Sequence, residues 1–368
     1  MHWNALSLKQ AGAVALALGM FVAVHSPKAI AEESGFVYVM TNKSPGNSVI
    51  QYSRAANGSL TWLREVPTGG DGSGPTKVDP LGSQDALVLS GDGRLLLAVN
   101  AGSNEVSVLG LKNKTLTWLS KTGSGGVFPN SVALDKDLVY VLNAQGTPHI
   151  SGFRLNPDGT LTAIPNSNVN VPGGTAAAAN DLRFSPDGSQ LLLTESGTNQ
   201  IDIFPIGDDG VAGTPVTQAS AGGSPFGIRF GREGVAVVSE AAGSASSYQL
   251  GDLTLTVISG AVVDTQKASC WISLTRSGRY AYLSNTGSGT LSSYAVGPDG
   301  QLTLAKAIAA SAAGTAPIDS ALSRDSRFLY VDDSAQGGVL LFRVDGATLI
   351  PIGNISSLPK SIQGIAAQ

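Results

Sequence analysis

Two glutamates raise the first chemical question. Glu195 ends the apolar run Leu191-Leu-Leu-Thr-Glu195, and Glu240 ends the similar run Val235-Ala-Val-Val-Ser-Glu240. Comparable runs elsewhere end in Asn42, Asn100, Asn143, Asn285 and Asp333. Asparagine and aspartate at such places cap turns by bonding to nearby backbone, a task glutamate performs poorly. Glu195 and Glu240 are therefore the candidate general bases, each able to take a proton from an attacking water. Of three histidines, His2 and His25 lie in the N-terminal segment, which leaves His149, in Gly146-Thr-Pro-His-Ile150, as the remaining imidazole for catalysis. A zinc site built from several histidines is excluded. Cys270 is the sole cysteine, so no internal disulfide forms, and it reads as a small packed residue.

These candidates recur because the elements carrying them recur. The runs Phe36–Asn42, Leu95–Asn100, Leu138–Asn143, Leu191–Glu195, Val235–Glu240, Tyr280–Asn285 and Phe328–Asp333 return roughly every 45–50 residues, the period of a four-stranded propeller blade. Tight turns precede them at Gly91-Asp-Gly93, Pro186-Asp-Gly188, Arg276-Ser-Gly278 and Arg324-Asp-Ser326. Upstream lie first strands such as Asp85–Ser90, Asn180–Ser185 and Phe226–Gly231. The first repeat lacks one, and Gln363–Ala367 supplies it from the far end of the chain. The fold class is all-β: a seven-bladed β-propeller of four-stranded blades, its ring closed by the C-terminal strand completing the first blade.

Propeller geometry converts this register into a site. First strands line the central channel, so their starts form a ring at one mouth: Asp85, Asn130, Asn180, Phe226, Cys270, Ile318 and Gln363, with Asp181, Trp271 and Asp319 beside them. The ends of the second strands form a wider ring that includes Asp333. The expectation is a funnel with an apolar arc and an acidic, amide-rich arc, suited to a small ligand. Asp85, Asn130, Asn180, Asp181, Phe226, Trp271, Asp319 and Asp333 are the candidate substrate-binding residues.

Composition narrows the partners. A net charge of -4 with 14% charged residues provides no basic stripe for phosphates, so nucleic acid is not an expected partner. Residues 1–31 have the pattern of a secretory signal peptide: Lys9, an apolar stretch from Ala11 to Val24, and Ala29-Ile-Ala31 as a cleavage site. Residues 32–368 then form one domain with no membrane span, expected as a periplasmic or secreted monomer.

The segments Leu89-Ser-Gly-Asp-Gly-Arg-Leu-Leu-Leu-Ala-Val-Asn100, Phe184-Ser-Pro-Asp-Gly188, Asn156-Pro-Asp-Gly-Thr-Leu161 and Gly297-Pro-Asp-Gly-Gln-Leu302 resemble the seven-bladed lactonase family, which includes 6-phosphogluconolactonase-like and carboxymuconate-cyclase-like propellers. Exported propellers with YVTN-type repeats share these markers. The resemblance implies a hydrolase or isomerase acting on lactones. The family's Arg-His pair falls here on Asn180-Asp181, its Pro-His element on Pro129-Asn130, and its acidic position on Ser196, one residue after Glu195. An anionic substrate would lose its cationic partners, so the expected substrate is neutral or cationic. Two other readings stand beside this one. Resemblance to gluconolactonase and phosphotriesterase propellers implies calcium held by Asp85, Asn130, Asn180 and Glu195. Alternatively, the propeller is a binding scaffold without chemistry.

Overall fold

The computed structural model describes residues 33–368. The secretory segment expected over 1–31 lies outside the described residues. Seven antiparallel sheets follow one another along the chain, each built outward from an inner strand. Six of them take their inner strands in sequence order: Leu87–Leu89, Val127–Asp135, Ala179–Phe184, Pro225–Phe230, Ser269–Leu274 and Pro317–Leu322. The seventh closes the ring. Ile365–Ala367 pairs with Glu33–Met40, setting Val37 opposite Ala367 and Val39 opposite Ile365. This is the seven-bladed ring that the repeats predict.

The second strands end where their sequence pattern stops, at Asn100, Glu195, Glu240, Asn285 and Asp333. Blades pack face to face, so these strands are covered on both sides, and continuous apolar runs replace alternation. Val235–Glu240 is buried throughout. The outer strand Leu60–Pro67, with one face in water, is mostly half-buried or exposed. Fully buried rings such as Tyr140, Tyr330 and Tyr282 lie in this interblade core, where burying a large side chain contributes roughly 1.5–3 kcal/mol.

The turn residues do the work that their types imply. Asp187 accepts from Ser185 Oγ at 2.6 Å and from the Ser189 N–H at 3.1 Å, while Gly188 takes φ +78°. Phenol groups lock neighbouring blades: Tyr140 donates to the Gly210 carbonyl at 2.8 Å, and Tyr330 to that of Gly58 at 2.9 Å. No helix among the described residues is long and apolar enough to cross a membrane.

Candidate functional site

The mouth formed by the starts of the inner strands is closed. Residues 68–86, the longest connection between blades, fold back over the channel before entering Leu87–Leu89. Asp85 does not begin a strand; it takes φ +63°, and this turn sends the chain down into the ring. The ring residues hold this plug instead of facing an open funnel. Asn180 Nδ2 donates to the Gly82 carbonyl at 2.7 Å, and the Asn180 carbonyl accepts the Gln84 N–H at 3.0 Å. Asn130 Nδ2 donates to the carbonyls of Ala179 at 3.1 Å and Leu81 at 3.4 Å. Trp271 Nε1 donates to the Ser83 carbonyl at 2.8 Å, and its ring lies 4.9 Å from that of Phe226. Gln363 accepts from the Leu81 N–H and donates to Ser83 and Asp79, each at 2.8 Å. The side-chain N–H groups of Asn130, Asn180 and Trp271 are thus occupied by the protein's own backbone, because a buried plug must pair its peptide groups.

Below the plug lies a buried charge cluster. Arg229 grips Asp85 through both terminal nitrogens, at 2.9 and 3.1 Å, and Arg183 bonds to the same carboxylate. Arg229 also stands 3.5 Å from Asp181, whose Oδ2 accepts the Ile228 N–H at 2.7 Å. Burial alone would raise the Asp85 pKa, but the two guanidinium charges outweigh it and hold the carboxyl below its ordinary range. Burial, reinforced by the Asp85 charge, pushes Asp181 and Asp319 upward. The acidic arc expected here is therefore a mixed cluster in which two arginines offset the acids.

Glu195 and Glu240 lie inside their blades, fully buried. Glu195 accepts the Gly173 N–H at 2.8 Å and the Thr198 hydroxyl, and it is hydrogen-bonded to the Asp202 carboxyl. Glu240 is bonded by the hydroxyls of Ser244 and Ser246, and burial raises its pKa. They take the place that Asn100 and Asn143 hold in neighbouring blades, where the side-chain amide bonds to Ser107 at 2.8 Å and Ser151 at 3.2 Å. Asp333 accepts the Gln336 N–H of its own loop at 3.3 Å and the Ala316 N–H of the preceding interblade connection at 3.0 Å. Neither glutamate reaches a cavity, so neither is placed to activate a water bound there. His149 sits toward the rim with Nδ1 2.7 Å from the Thr147 carbonyl and Nε2 3.1 Å from that of Gly125. The structure does not converge Asp85, Asn130, Asn180 and Glu195: the first bonds two arginines, the amides bond the plug, and the glutamate is inside its blade. A calcium ion does not fit this arrangement, and no group of three or more acidic, histidine or cysteine side chains among the described residues could hold a metal.

The open space on this face lies beside the plug. A cavity of about 710 Å³ over the first four blades is lined by Lys77, Asn104, Phe128, Asn130, Gln145 and Asn180, among others. Lys77 is the charged residue of its wall. Near it in the plug stands Asp79, whose Oδ1 accepts the Gly82 N–H at 2.8 Å. Burial pushes the Asp79 carboxyl up to about 6, against the opposing charge of Lys77. Reading the sequence passed over Lys77, Asp79, Gln84, Arg183 and Arg229. Two signals were available: the length of 68–86, which exceeds any turn a blade needs, and the matched segments Leu182-Arg183-Phe184 and Ile228-Arg229-Phe230, which repeat an arginine in adjacent inner strands.

The family model described as Lactonase, 7-bladed beta-propeller matches residues 32–178 and 182–364. No curated protein matches the sequence. Among solved structures, the periplasmic gluconolactonase of Pseudomonas aeruginosa is similar, with a TM-score of 0.74 and 18% identity, covering 89% of this chain and 98% of that one. A candidate 6-phosphogluconolactonase from Bacteroides fragilis gives a TM-score of 0.71 and 20% identity, covering 90% of this chain and 97% of that one. A protein from Lactobacillus plantarum gives 0.73 and 20%, covering 91% and 99%. At these identities the likeness is one of fold.

Proposed function

Because the chain belongs to the lactonase family of seven-bladed β-propellers, we propose that it opens a neutral lactone in the cavity beside the plug, as an exported enzyme. The observation that carries this reading is that Lys77, the charged residue of the cavity wall, stands near Asp79 of the plug behind it, a carboxyl that burial pushes up to about 6. The Asp79 carboxylate would take a proton from water as its oxygen attacks the lactone carbonyl carbon. Lys77 would stabilise the negative charge that develops on the carbonyl oxygen. The proton then passes to the ring oxygen as the acyl–oxygen bond breaks, and a hydroxy acid is released. A wall with Lys77 as its charged group suits a sugar lactone without phosphate, since a phosphate would call for further cationic partners. The gluconolactonase named among the structural neighbours favours the same substrate class. The signal-like N-terminal segment favours a periplasmic or secreted location.

The test is proton release from glucono-lactone and from its phosphorylated counterpart, measured above spontaneous hydrolysis. Wild type should accelerate the neutral lactone, and Asp79→Asn should slow it by about 10²–10⁴-fold. Rates at background for every lactone, in wild type and variant alike, would leave the propeller as a binding scaffold.

A further inference from the structure

The opposite mouth of the channel presents a second concavity, separated from the first by the plug and the charge cluster. It measures about 260 Å³, and its lining includes Arg183, Arg229, Ser273, Ser320, Leu87 and Ile365. We propose that this mouth is a binding site for a small organic carboxylate, gripped by the guanidinium groups of Arg183 and Arg229.

Three observations support it. First, Arg183 is not used up by its partner. Its side chain is 30% exposed toward the mouth, and its buried Nε has no hydrogen-bond acceptor. A guanidinium presents five donors in a planar fork that matches two carboxylate oxygens, and a buried donor without an acceptor favours a ligand that supplies one. Second, both guanidinium groups line the cavity and share one lining carboxylate, that of Asp85. Third, the wall has two characters. The hydroxyls of Ser273 and Ser320, 2.9 Å apart, stand among aliphatic side chains such as Leu87 and Ile365. Polar anchors within an apolar rim accommodate a carboxylate with a short carbon body better than a hydrated inorganic ion.

The experiment measures the unfolding temperature of the whole protein with increasing acetate, propionate, gluconate, inorganic phosphate or chloride at fixed ionic strength and pH. A ligand that binds only the folded state raises this temperature by mass action. The carboxylates should raise it in a saturable way that chloride and phosphate do not reproduce. Arg183→Gln should weaken the carboxylate response roughly tenfold or more, since it removes charged hydrogen bonds. Because that change also touches Asp85, Ala321→Phe provides a second probe: it fills the mouth, leaves the Asp85 pairs in place and should abolish the response. Equal shifts with chloride or with phosphate would overturn the assignment. So would a carboxylate response that survives Ala321→Phe in a folded variant.

Discussion

The side-chain amide of Gln84 pairs with both backbone groups of Ile272, donating to its carbonyl at 2.8 Å and accepting its N–H at 3.0 Å. This joins the plug, which rises from the first blade, to the inner strand of the sixth, across the channel. The glutamine acts as a short piece of strand where no strand is available. Gln84→Ala would leave a buried N–H and a buried carbonyl without partners, a loss of about 2–4 kcal/mol. Calorimetry should show a lowered unfolding temperature, and amide exchange at Ile272 should accelerate. An unchanged exchange rate there would mean that the pair holds nothing in place.

Asp79 makes a prediction in pH. If its carboxylate is the base, kcat/KM toward a neutral lactone should be low below pH 5 and rise through about 6, where the buried carboxyl ionises. The activity of Asp79→Asn should be low and lack that rise. Lys77→Ala should reduce turnover and move the midpoint upward, because the lysine charge opposes the raising effect of burial. A midpoint that stays put would separate Lys77 from Asp79.

The buried pair Glu195 and Asp202 makes a prediction for stability. Burial, with Glu195 as hydrogen-bond partner, pushes Asp202 up to about 8. The folded state therefore keeps a proton that the unfolded chain releases near pH 4. Stability from this group is full below that value and is lost as pH rises through about 8. Asp202→Asn carries a donor that needs no proton. It should flatten the decline in unfolding temperature between pH 5 and 8 and be more stable than wild type at the alkaline end.

Two glycines give a paired test of turn geometry. Gly58 and Gly46 both have positive φ, +86° and +79°. A Cβ on Gly58 would lie 2.3 Å from the Phe328 ring, whereas one on Gly46 would meet nothing within 4 Å. Gly46→Ala should cost about 1–2 kcal/mol from backbone strain alone. Gly58→Ala adds a clash in the interblade core and should cost about 1–3 kcal/mol more. Denaturant unfolding of the two variants measures the difference.

The second strands were legible nearly to the residue, because burial on both faces leaves a run such as Leu95-Leu-Leu-Ala-Val-Asn100 without alternation and ends it at a polar side chain. The ring closure was legible for a related reason: a missing first strand and a spare one match each other. The plug was hidden, since it meets the ring's side chains mainly with its own backbone carbonyls, and a carbonyl has no residue type to read. Asp85 shows the cost of extending a repeat too far. It occupies the register of a strand start, yet its positive φ and two arginine partners make it a turn and an anchor. Glu195 and Glu240 did depart from the asparagine pattern, but the departure is answered within each blade. Asp202 and Ser246 lie on the next strand, two positions beyond the residues paired with the glutamates, as Ser107 lies two beyond the partner of Asn100. Reading both strands together would have shown the substitution as paired.

The plug also sets an order of events. Its partners Asn180, Ile272 and Gln363 belong to blades made later in the chain, so Leu81 and Gln84 cannot settle until those blades stand in the ring. Contacts between residues so far apart in sequence form late, after the loop they close has lost its freedom. The segment 79–84 is thus a recorder of assembly, and protection of its amides during refolding would mark the moment the circle shuts.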